Sequence, residues 1–130
     1  MRHSGHILLL AAVLLLSACT KEQNLYCTLT LEAHLPGGEN IVSMVVDNTL
    51  PGNKFRNINN GIAYPFPVFV NNSCTLRIQK GVYQIAFDGE VTLADGTVKY
   101  VRFSAYSALA DAIELMEDTK NLPLELVVMR

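Results

Sequence analysis

The chain predicts a mostly β fold, an antiparallel β-sandwich of about seven strands with one crossover helix. Three observations predict it. Apolar and polar residues alternate with a period of two through most of the segments beyond residue 24. Clusters of Gly, Pro, Asn and Asp interrupt those segments at short intervals, as they do in all-β domains. One stretch near the C-terminus carries a helical period instead.

Residues 25–35 alternate most cleanly. Leu25, Cys27, Leu29, Leu31, Ala33 and Leu35 share one face, and Tyr26, Thr28, Thr30, Glu32 and His34 the other. A half-buried strand has this pattern because successive side chains point to opposite faces of a sheet. Pro36-Gly37-Gly38-Glu39-Asn40 forms a turn, and residues 41–47 return as a β-branched strand. Residues 48–67 hold Pro51, Pro65 and Pro67 together with Asn59-Asn60-Gly61. Proline cannot donate to a ladder, so a long surface connection is expected here, with a short edge strand over 67–70.

After Asn71-Asn72-Ser73 a meander is expected, with strands over 74–79, 82–87, 90–93 and 98–104. Asp95-Gly96 suits the positive backbone angles of a hairpin turn. Asp88-Gly89 is either a second turn or a bulge within one long strand. Ser107 can cap a helix over 108–118, where Leu109, Ala112, Ile113 and Met116 follow the i, i+3, i+4, i+7 spacing. Asp111, Glu114, Glu117 and Asp118 then form its solvated face or an acidic docking surface. Residues 122–129 supply the last strand, with Leu122, Leu124, Leu126 and Val128 in phase.

The first eighteen residues differ in kind. Arg2 and the amino terminus make a short positive head, and residues 7–16 are an apolar run. Ten residues are too few to span a bilayer and suit the core of a signal peptide. The organisation expected is therefore a signal peptide over 1–18, a tether over 19–24 and one β-domain over 25–130. Of ten Lys/Arg only Arg2 precedes residue 19, so nine bases face all twelve acids downstream. These charges are interspersed rather than blocked, which argues against a nucleic-acid partner and against a polybasic membrane patch.

Of the three cysteines, Cys27 and Cys74 form an even pair in an exported chain, each in phase with apolar neighbours. A disulfide between them would close a loop of about 48 residues and contribute roughly 4 kcal/mol. Two buried free thiols are the alternative.

Catalytic patterns are sparse. Past the leader the only histidine is His34, beside a turn on a polar strand face, and no Gly-x-Ser-x-Gly elbow is present. Asp88, Glu90 and Asp95 could offer oxygens to calcium, but turn chemistry accounts for Asp88 and Asp95 without an ion. The expectation is a chain that is not an enzyme, with no cofactor and no metal site. Phe55, Arg56, Tyr64, Phe66 and Phe69 lie in a segment that also holds Lys54 and several asparagines. Aromatic faces beside amide donors make this the candidate binding loop. Alternatively, the rings seal the open end of the sandwich.

Leu16-Ser17-Ala18-Cys19 resembles the lipobox of bacterial lipoproteins. That resemblance implies cleavage before Cys19 and acylation of Cys19, which would anchor the domain to a membrane. The start Cys19-Thr20-Lys21-Glu22-Gln23 resembles small outer-membrane lipoproteins of Bacteroidetes, in which charges just after the cysteine favour display at the cell surface over the periplasmic face. The strand Gly81-Val82-Tyr83-Gln84-Ile85 and the late helix before a closing strand resemble transthyretin-like and immunoglobulin-like modules. Together these resemblances imply a non-enzymatic, lipid-anchored envelope module with an outer-membrane protein partner. Such a module would be an accessory binding or structural subunit of a nutrient-uptake complex of the Sus type. A small inhibitor of a cell-wall hydrolase and a fimbrial accessory subunit are the alternatives. Replacing Cys19 with Ala should move the protein from the membrane pellet to the soluble fraction; pelleting of the variant would remove the lipidation reading.

Overall fold

The alternation of residues 25–35 becomes strand β1 (Tyr26–His34) in the computed structural model, which describes residues 25–103 and 112–129. The leader, Cys19 and the tether lie outside the described residues, as do Ser107 and the first turn of the expected helix. Nine further strands follow: β2 (Ile41–Val46), β3 (Lys54–Asn57), β4 (Phe69–Val70), β5 (Ser73–Gln79), β6 (Gly81–Ala86), β7 (Asp88–Leu93), β8 (Val98–Phe103), β9 (Ile113–Leu115) and β10 (Thr119–Met129). The chain is mostly β, as its alternation predicts.

The architecture is a barrel rather than a sandwich. Seven strands close in the order β1-β10-β8-β7-β2-β4-β5, and β3-β6-β9 form a separate small sheet. Closure follows from β1 having a partner on each side. Thr28 to Glu32 pair antiparallel with β5 on one side and parallel with β10 on the other. Such a strand has no free edge, and the expected sandwich would have needed edges at both ends of each sheet. The short strand placed over 67–70 exists as β4, but it is a link in the wall: Met44 pairs with Phe69, and Val70 with Ser73.

The expected meander is also corrected. Strands β5, β6 and β7 follow one another almost without a break, yet β6 belongs to the small sheet, and the chain turns back into the barrel at the buried Phe87. Calling the start of β1 the foot of the barrel, β2, β5 and β8 run down to the foot, and β4, β7 and β10 rise from it. All three strands of the small sheet are entered and left there, so the sheet closes the foot. Its buried Phe55, Tyr83, Ile85, Ile113 and Leu115 join the barrel interior in one core. At the crown Lys99 reaches Glu39 of the β1–β2 turn at 2.7 Å.

The helix over 108–118 is overturned where it can be seen. Ile113, Glu114 and Leu115 form β9, paired with Tyr83, Val82 and Gly81. Ile113 and Leu115 are buried and Glu114 is exposed, which is the period of a strand. Thr119-Lys120-Asn121, between the expected helix and the expected last strand, opens β10 and pairs with Thr28-Leu29-Thr30. Strand β2 carries a bulge between Ile41 and Ser43. The extra residue shifts the phase, so Ile41 and Met44, three apart, both point inward.

The disulfide does not exist in this register. Cys27 faces Ile78 and Cys74 faces Leu31, so four residues separate them along the ladder. At about 3.3 Å per residue they stand roughly 13 Å apart, and a bridge requires Cα atoms within about 7 Å. Both thiols are free and buried in the core. Burial raises the pKa of each, that of Cys74 to about 11, so both stay protonated and unreactive at neutral pH. The melting temperature should accordingly be the same with and without reductant. Cys27→Ser should cost about 1–3 kcal/mol under either condition, since it buries a hydroxyl among apolar atoms. A wild-type melting temperature that falls in reductant would restore the bridge.

Candidate functional site

Most of the aromatic segment is interior. Phe55, Phe66 and Phe69 are buried, Tyr64 is half-buried, and only Arg56 of the five candidates is exposed. Phe55 makes edge contacts with three rings: Tyr64 at 5.8 Å, Phe66 at 5.7 Å and Tyr83 at 5.5 Å. Phe66 in turn meets Phe87 at 4.9 Å, and Phe87 stacks on Phe103 at 6.0 Å. The buried rings of Phe55, Phe66 and Phe69 offer no platform to a ligand, while Tyr64 borders a cavity of about 290 Å³ with Lys54 and Arg56. The buried rings pack between the barrel and the small sheet, which matches the sealing role weighed for them in the sequence.

The amides beside them are committed as well. Asn48 clamps Phe66, donating from Nδ2 to its carbonyl at 3.0 Å and accepting from its N–H at 2.7 Å. Asn53 donates to the Asp47 carbonyl at 2.8 Å and accepts from the Asp88 N–H at 2.9 Å, joining the end of β2 to the start of β7. Asn57 is almost fully buried. It donates to the Tyr83 hydroxyl at 3.1 Å and accepts from the N–H groups of Asn59 and Asn60. Tyr83 in turn donates to the Gln79 carbonyl. Gly81 permits this approach, because a Cβ there would stand 2.7 Å from Asn57 Nδ2 and 2.8 Å from Asn59 Oδ1. Burial drives the Tyr83 pKa well above the usual phenol range. The asparagines therefore act as structural couplings at the foot.

A concavity lies on the outer wall, away from the predicted loop. A groove of about 680 Å³ runs between the β2–β3 turn and the outward faces of β2, β7, β8 and β10. Cross-strand register builds its floor: Val45 pairs with Glu90, Glu90 with Tyr100, and Tyr100 with Met129. Val45, Tyr100 and the neighbouring Leu50 are each about half exposed. Three acids line it. Asp88 receives Nε and Nη2 of Arg102 at 2.7 and 3.1 Å, and those hydrogen bonds hold its pKa below the ordinary value. Asp47 is held low by the hydroxyl and N–H of Thr49. The exposed Glu90 carboxylate has no ion-pair or hydrogen-bond partner among the described residues.

Depressed carboxylate pKa values contribute stability above the ordinary range near pH 4, and that contribution is lost as pH falls through the folded values. Both groups are exposed to solvent, so the contribution is small and weakens further in salt.

The chain has no significant match among protein-family models, curated proteins or solved structures. The site therefore rests on its geometry.

Asp88, Glu90 and Asp95 do not converge as calcium ligands would. Asp95 sits in the β7–β8 turn, accepting from the Thr97 N–H at 2.9 Å. It is seven residues from Asp88, roughly 23 Å along a strand. No group of three metal-ligating side chains gathers among the described residues. His34 lies at the crown with its Nε2 3.7 Å from Glu32. Sequence reasoning missed Val45, Leu50 and Tyr100, and weighed Glu90 only as a calcium ligand. The available signal was apolar residues in the outward phase of β2 and β8, where Val42, Val45, Val98 and Tyr100 stand at positions a solvated wall would fill with polar groups.

Tyr83→Phe tests the couplings. It strands the Asn57 amide and the Gln79 carbonyl together, so urea unfolding should show a loss of about 1–3 kcal/mol. A neutral result would mean that water replaces the hydroxyl.

Proposed function

We propose that this protein is a lipid-anchored, non-enzymatic module of the bacterial outer membrane. In this reading it is held through acylated Cys19, faces the cell surface, and serves as an accessory binding subunit of a nutrient-uptake complex. The observation that carries the binding role is the outward row Val45–Glu90–Tyr100–Met129, where apolar side chains and an unpaired carboxylate share one groove. The barrel interior is filled by its own side chains, and Asn48, Asn53 and Asn57 are spent on the backbone and on the Tyr83 hydroxyl, which leaves the outer wall for recognition. Tyrosine and methionine are enriched in protein-docking surfaces, and a carboxylate set among them calls for a basic group on the partner. The lipobox-like Leu16-Ser17-Ala18-Cys19 supports the anchor, and the five residues before Leu25 keep the domain near its membrane.

A photocrosslinking amino acid at Tyr100 tests this in the native membrane, with the same group at exposed Thr75 on the far wall as control. One adduct of defined mass with an envelope protein from position 100, and none from position 75, is the expected outcome. Equal labelling from both positions, or none from either, would overturn the docking role.

A further inference from the structure

A second set of exposed apolar side chains lies at the foot of the barrel. Leu25, Tyr26, Ile58, Ile62 and Met116 are 40–58% exposed, and backbone contacts gather them around Lys80. The Lys80 N–H donates to the Leu25 carbonyl at 2.8 Å. The Gly81–Leu115 pair brings Met116 alongside. Tyr26 pairs with Gln79, whose side chain accepts from Asn60 at 2.7 Å, within the turn that holds Ile58 and Ile62.

The foot is also where the chain enters the domain. Six steps separate Cys19 from Leu25, a reach of roughly 20 Å at full extension, whereas the crown end of β1 lies about 26 Å farther on. Two ion pairs offset charge at this rim, Lys80 with Asp118 and Lys120 with Glu117 at 3.6 Å, and the Arg77 guanidinium lies over the Tyr26 ring at 4.7 Å. Apolar side chains, a tyrosine and self-paired charges suit the headgroup region of a bilayer, where a ring with a polar tip is at home and lysine stems can lie along apolar surface.

We infer that the foot rim is a membrane-seating surface: Leu25, Tyr26 and Met116 insert into the bilayer interface and fix the pose of the anchored barrel. This rests on the anchored reading proposed above.

The mature chain beginning at Cys19 contains no tryptophan, and Cys27 and Cys74 are buried, so Cys19 is the thiol open to coupling. Coupled to a maleimide lipid in phosphatidylcholine vesicles, Tyr26→Trp and Tyr100→Trp give two single reporters. Brominated phosphatidylcholine should quench the first about twofold, as expected of an interfacial side chain, and leave the second unchanged. The quenching should persist at roughly 1 M salt, where screening reaches within about 3 Å. Adding Leu25→Ser and Met116→Ser to the Tyr26→Trp protein should abolish it. Absence of quenching at position 26, equal quenching at 100, or quenching that survives the serine changes would overturn the inference. Because the coupling supplies the anchor, a negative result here leaves acylation in the cell standing, and the Cys19→Ala fractionation tests that separately.

Discussion

The double pairing of β1 is the constraint on which the rest of the structure depends. Its residues hydrogen-bond to β5 on one side and to β10 on the other, and Cys27, Leu29, Leu31 and Ala33 are almost wholly buried. A strand near one end of the domain and a strand at its other end thereby form the only parallel pair among the described strands. Parallel neighbours cannot be joined by a tight turn, so everything between them must travel around the wall. That circuit is closed across the barrel by β4, only two residues long. A wall this thin needs support, and the Asn48 clamp on Phe66 ties the chain just past β2 to the chain just before β4.

The small sheet follows from the same constraint. With β1 and β10 locked side by side, the downward strands β2, β5 and β8 deliver the chain to an open foot. The core cannot leave apolar side chains such as Ile78 and Phe103 in water there, and β3, β6 and β9 cover them at 1.5–3 kcal/mol for each large side chain buried. Three excursions converge on one patch, where the ladders β3–β6 and β6–β9 join their backbones. Asn53 and Asn59 add joints beyond those ladders, Asn53 tying the Asp47 carbonyl to the Asp88 N–H and Asn59 accepting from the Val82 N–H.

Local structure was legible in the residues and closure was not. Strand β1 and the core phase of β10 could be read because alternation is a local property of the chain. The β9 region was misread because Leu109, Ala112, Ile113 and Met116 satisfy a helical spacing, while Ile113-Glu114-Leu115 also satisfy a strand. Only the backbone of β6, some thirty residues earlier, selects between the two. The Val42 bulge, the Asn53 bridge from β2 to β7 and the separation of Cys27 from Cys74 are all matters of register, which no window of sequence contains. For the same reason the aromatic loop looked like a binding site: composition announced the rings of Phe55, Phe66 and Phe69 but not which way they faced. Val45 and Tyr100 carried the opposite signal, apolar residues in the phase opposite to the core.

The two exposed surfaces are related by the barrel itself. Around the wall β7 stands three strands from β1 through β10 and β8, and four through β5, β4 and β2, so the groove lies opposite the strand at which the chain enters. If the foot seats on the membrane as proposed, that groove opens sideways, parallel to the bilayer. A partner in the same membrane would then meet it by lateral diffusion with the orientation already restricted. Anchoring and seating both raise the effective concentration of two sites and remove rotational freedom before contact. A modest patch of Val45, Leu50, Tyr100 and Met129 would then suffice for association where a freely diffusing domain of this size would require a larger interface. The short tether belongs to the same logic, since a long one would return the rotational freedom that the seated foot removes.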